Sequence, residues 1–115
     1  MERDVRERRK DRRVPARILI KYGKAEQFFT DYIQNISRGG IFVPTYNPLP
    51  EGTQLQISFS LPSWDHLIET EGIVVHSIRQ TPSRGPLPSG MGIQFQALSK
   101  ENLRLIDRYV NSLQA

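Results

Sequence analysis

Along most of the chain, apolar and polar residues change places every second position, the period of a half-buried β-strand. Ala16, Ile18, Ile20 and Tyr22 alternate with Arg17, Leu19 and Lys21, which predicts a strand ending at Gly23-Lys24. Residues 26–36 read as a second, aromatic-rich strand with Phe28, Phe29, Tyr32 and Ile33. Ile41, Phe42 and Val43 form a short third, stopped by Pro44, and Asn47 to Gly52 is a turn by its Pro/Gly punctuation. The clearest pattern follows: Leu55, Ile57, Phe59 and Leu61 alternate with Gln54, Gln56, Ser58 and Ser60. Pro62-Ser63-Trp64-Asp65 turns the chain into a long strand over 67–79, which sets Glu69 and Glu71 on one face. After a Pro-, Ser- and Gly-rich loop over 80–90, Met91, Ile93, Phe95 and Ala97 alternate with Gly92, Gln94 and Gln96. The aromatics of these strands mostly follow core spacing.

The period changes once. Ser99 is a good helix N-cap, Glu101 suits the first turn, and Leu98 can staple to Leu103. Leu103, Ile106, Val110 and Leu113 then recur at helical spacing, predicting an amphipathic helix over 100–113. Six strands closed by one helix point to an all-β fold, a small six-stranded antiparallel β-barrel. Its helix would plug one mouth or lie against the outside.

Composition narrows the function. At 115 residues, 37% of them hydrophobic, the chain is one domain with one modest core. It has no apolar run of membrane-spanning length and no export signal, so a soluble, cytoplasmic protein with no membrane partner is expected. The absence of cysteine excludes disulfides, thiol catalysis and thiolate zinc sites. The net charge of +4 is uneven: residues 1–13 carry seven Arg/Lys against four Asp/Glu, and the remainder is close to neutral. Residues 1–13 are therefore read as a flexible basic arm ahead of a folded body at 14–115, entered at Pro15. Such an arm is either a solvated end or a phosphate-seeking one.

Enzyme chemistry finds little support. His66 and His76 have no metal-ligand spacing, no nucleophile elbow or phosphate loop occurs, and Glu69 with Glu71 reads as a solvated face. No catalytic residue, metal or cofactor is expected. Asn35-Ile36-Ser37-Arg38-Gly39-Gly40 is the more informative segment. Asn35 and Ser37 project to one face at a strand end, and both can read a base or ribose edge. Gly39 and Gly40 bring backbone close and allow positive φ. The same residues also fit an Asx or Ser turn closing a hairpin. Arg9 and Arg13, four apart, supply guanidinium forks matched to phosphate or to guanine O6 and N7.

Arg9-x-x-x-Arg13, then Asn35-x-Ser37-x-x-Gly40, resembles the two-part signature of PilZ domains, RxxxR with [D/N]xSxxG. The Gly90–Phe95 run and the closing helix also resemble that family, over essentially the whole chain. The resemblance implies a six-stranded barrel that binds cyclic di-GMP. Arg9 and Arg13 would grip guanine edges and phosphates, with Arg8 as an added contact. Asn35 and Ser37 would hydrogen-bond a guanine, Gly40 with Gly39 would allow close approach, and His76 would present a ring to the ligand. Having no attached output domain, the chain would act as a stand-alone receptor that signals to an unidentified downstream effector protein as the arm orders. Two rivals remain: a protein-interaction adaptor of this fold without nucleotide binding, and a small-barrel binder of single-stranded nucleic acid. The second is disfavoured because the basic charge lies on the arm.

Overall fold

The computed structural model describes residues 13–62, 65–79 and 89–113. Residues 1–12 of the expected arm, with Arg8 and Arg9, the turn residues Ser63 and Trp64, and residues 80–88 of the expected loop lie outside them. Six strands run in order: β1 (Val14–Lys24), β2 (Gln27–Ile36), β3 (Gly40–Pro44), β4 (Gln54–Ser60), β5 (Leu67–Ile78) and β6 (Gly90–Gln96). The helix α1 (Lys100–Leu113) follows. Every neighbouring pair is antiparallel, and the sheet closes in the order β1-β2-β3-β6-β5-β4, which leaves no open edge. The register slips between Pro15 and Ile18 in β1 and between Val74 and His76 in β5, irregularities that help strands bend round a small barrel.

Alternation decides what fills the interior. Ile18, Ile20 and Tyr22 from β1, Leu55, Ile57 and Phe59 from β4, and Met91 and Ile93 from β6 are buried in one core. Gly72 leaves room there, since a Cβ at that position would meet Ile57 Cδ1 at 2.5 Å and Ile93 Cγ2 at 2.7 Å. The aromatic-rich β2 departs from expectation. Its core members are Ile33 and Ile36, whereas Phe28, Phe29 and Tyr32 are all exposed. Register is the reason for Phe28 and Tyr32, which share the outer face with Thr30.

Ser99 caps α1: its Oγ accepts from Asn102 N at 3.0 Å, and its carbonyl accepts from Leu103 N at 2.9 Å. Ile106 and Val110 enter the barrel core, with Leu105 and Tyr109 packed beside them. Leu113, expected on this stripe, is exposed, and Leu103 is only half-buried. The helix thus closes one mouth, tethered by His66 Nε2 to Asn102 Oδ1 (2.9 Å) and by Arg38 to Asp107 (3.6 Å). No helix among the described residues is long and apolar enough to cross a membrane.

Candidate functional site

Asn35 is the next-to-last residue of β2 and pairs with Pro15 on one side and Phe42 on the other. Arg13 immediately precedes β1, whose first ladder pair is Val14 with Ile36. That register carries the Arg13 side chain to Asn35, and Nη1 donates to Asn35 Oδ1 at 2.8 Å. Residues 22 apart in sequence thereby share one exposed corner.

The turn after β2 is held by Ser37, which is 2% exposed and, among the described residues, is the one buried polar side chain. Its Oγ accepts from Gly39 N at 3.1 Å and Gly40 N at 3.2 Å, while Ser37 N donates to the Gly40 carbonyl at 2.9 Å. Phe95 N donates to the Gly39 carbonyl at 2.9 Å, fixing the turn to β6. Ser37 therefore faces inward, as in the turn reading of this segment. The positive φ that Gly39 and Gly40 would allow is not used, since among the described glycines only Gly52 has it. What the missing Cβ of Gly40 admits is the backbone of β6, because a Cβ there would lie 2.2 Å from the Ile93 carbonyl oxygen.

His76 also points to the outside of the barrel. Asn35 pairs with Phe42, Phe42 with Gly92, and Gly92 with His76, and directly paired side chains project to one side. Three interstrand steps put His76 roughly 14 Å from Asn35. Its ring covers Gly92, with Cδ2 at 3.6 Å from where a Cβ would stand, and the Phe42 ring lies over Gly90. Arg13, Asn35 and the 37–40 turn are thus together, whereas His76 stands three strands away round the closed sheet, over glycine backbone. Phe42 turns outward too. The apolar run Ile41-Phe42-Val43 predicts a strand without saying which side chain turns outward, and the pairings with Asn35 and Gly92 settle it. No cluster of metal-ligating side chains occurs among the described residues.

A closed six-stranded barrel capped by a helix, with an Arg-bearing entry meeting an NxSxxG turn, defines a class with known members. The family model of the PilZ domain matches residues 7–112, and the chain belongs to that family. No curated protein matched. Among solved structures, the chain is similar to the Bacillus subtilis inhibitor of motility, MotI/DgrA. The TM-score is 0.74 at 23% identity, covering 89% of this chain and 49% of that one. It is also similar to the PilZ domain of Escherichia coli YcgR with c-di-GMP, with TM-score 0.70 and 18% identity, covering 93% and 92%. The K. pneumonia MrkH–c-di-GMP complex gives TM-score 0.74 and 21% identity, covering 93% and 52%. The chain spans about half the length of the first and third of these. At such identities the likeness establishes the fold.

Proposed function

We propose that this chain is a receptor for cyclic di-GMP in the bacterial cytoplasm, and that the corner built by Arg13 and Asn35 receives the nucleotide. The contact between these two side chains carries the reading, because it unites both halves of the family signature. Arg13 serves as a fork for phosphate or a guanine Hoogsteen edge, and Asn35 both orients it and reads a base. Arg8 and Arg9, on an arm comprising residues 1–13, add the remaining guanidinium contacts as the arm folds onto the barrel body at 14–115. Ser37, Gly39 and Gly40 hold the turn in shape, and His76 borders the ligand at its far end. Solved complexes of YcgR and MrkH with c-di-GMP support the choice of ligand. Ordering the arm then changes the surface offered to a downstream effector protein, and no catalytic step is involved.

Isothermal titration with cyclic di-GMP tests this. Arg13→Ala should cost about 1–3 kcal/mol, the scale of one bidentate base contact, or roughly 5- to 150-fold in Kd. Unchanged affinity in that variant would remove Arg13 from the site, and no binding by the wild type would remove the function.

A further inference from the structure

Exposed apolar side chains also lie away from the signature corner, on the outer face of β1, β4 and β5. Lys21 pairs with Ser58, and Ser58 with Glu69, so the three form one row across these strands. Two residues along, Ser60 pairs with Leu67, and Leu19 lines the same groove as both, with Leu19 54% and Leu67 53% exposed. Beyond them stand Arg17 on β1 and the exposed Asp65 just before β5. Read down each side of β4, the face is therefore Arg17-Leu19-Lys21 on one flank and Asp65-Leu67-Glu69 on the other. The two flanks are mirror partners in charge and alike in their central leucine.

We propose that this face is a self-association surface whose occupant is a second copy of the chain. A two-fold axis lying along β4, in the plane of contact, exchanges β1 with β5 because both flank β4 at about 4.8 Å. It sets Lys21 of each copy opposite Glu69 of the other, Leu19 opposite Leu67, and Arg17 opposite Asp65. Residues on the axis must meet themselves, which like charges tolerate poorly. Those positions are Gln56, Ser58 and Ser60, all uncharged.

Among the described residues these charges form no ion pair within the chain. Arg17 stands 4.7 Å from the Tyr32 ring centroid and Lys21 stands 5.2 Å from that of Phe28, both leaning toward β2 and away from β5. Glu69 and Glu71 have no ion-pair partner among the described residues. Shallow grooves of about 460 and 500 Å³ border the Lys21–Ser58–Glu69 row, giving the convex barrel wall relief for a partner's leucines. The exposed Phe28 and Tyr32 under basic side chains also suit a nucleic-acid strand, but Asp65, Glu69 and Glu71 on the same face oppose its phosphates.

Sedimentation velocity from low micromolar to several hundred micromolar protein tests the proposal. The wild type should pass from monomer to dimer with rising concentration. Lys21→Glu and Glu69→Lys, each placing like charges across the axis, should each weaken association by about tenfold or more. The chain carrying both changes, or an equimolar mixture of the two single variants, should recover it. A wild type that stays monomeric, single variants that associate normally, or a double variant that does not recover would each overturn the proposal. So would an RNA oligomer that binds a persistently monomeric wild type and is lost in Lys21→Glu. Cyclic di-GMP titrations of the same variants should match the wild type, so failure here is distinguishable from failure of the receptor reading.

Discussion

Replacing Ser37 with alanine removes one hydroxyl and leaves two backbone donors, Gly39 N and Gly40 N, without their acceptor. Gly40 is buried, so its N–H is left without a partner, whereas the partly exposed Gly39 can recruit water. An unsatisfied buried group costs about 1–3 kcal/mol, and the wet one adds little. The turn keeps its bonds from Ser37 N to the Gly40 carbonyl and from Phe95 N to the Gly39 carbonyl, so the loss should be local strain rather than unfolding. Unfolding entropy of about 2.1 cal/mol/K per residue gives roughly 0.24 kcal/mol/K for a domain of this size. Ser37→Ala should therefore lower the melting temperature of the ligand-free protein by about 4–12 °C, read by calorimetry. Ser99→Ala, which deletes an exposed N-cap worth about 1 kcal/mol, provides a scale of about 4 °C. The absence of ligand is the discriminating condition. A serine needed only to touch the nucleotide would leave the free protein's melting point where it was, and that result would refute the inward role of Ser37.

Gly40→Ala should destabilise by several kcal/mol in urea unfolding, because its Cβ would meet backbone in β6, whereas Gly92→Ala has nothing closer than 3.6 Å and should be close to neutral. Burial, then the 2.6 Å hydrogen bond and negative charge of Asp31, push the Tyr22 phenol above its ordinary value of about 10. The folded state favours the neutral phenol, so this stabilisation is complete below about pH 10 and is lost as pH climbs through the higher folded value. Phenolate absorbance should show Tyr22 ionising together with alkaline unfolding, and Tyr22→Phe should flatten that part of the stability profile. Arg13→Ala should weaken cyclic di-GMP binding as stated, and the charge-reversal pair at Lys21 and Glu69 should report on the β4 face.

The strands were legible because alternation in β1, β4 and β6 is nearly unbroken, and the helix start because Ser99 and Leu98 stand at the right offsets. Period two does not say which of its two faces turns inward when both carry apolar side chains. In β2 that choice put Phe28 and Tyr32 outside and Ile33 and Ile36 inside. In β3 it put Phe42 among the outer residues beside Asn35. The signature residues were visible as types and spacings. Their division of labour was not, because the inward turn of Ser37 and the use of Gly40 against β6 depend on a strand 50 residues further along.

That division separates a half of the site that holds shape from a half that makes contact, and binding measurements can tell them apart. If only a fraction of molecules present a competent turn, apparent affinity falls by that fraction. Ser37→Ala should then weaken cyclic di-GMP binding and lower ligand-free stability together, since both come from one loosened loop. Arg13→Ala gives up the exposed hydrogen bond to Asn35, a surface contact worth about 1 kcal/mol to the free protein, yet loses a direct contact when the ligand arrives. It should lower affinity while moving the ligand-free melting point by no more than about 4 °C. Should the two variants instead trade signatures, Arg13 would be the brace of this corner and Ser37 its reader, and the assignment of roles would be reversed.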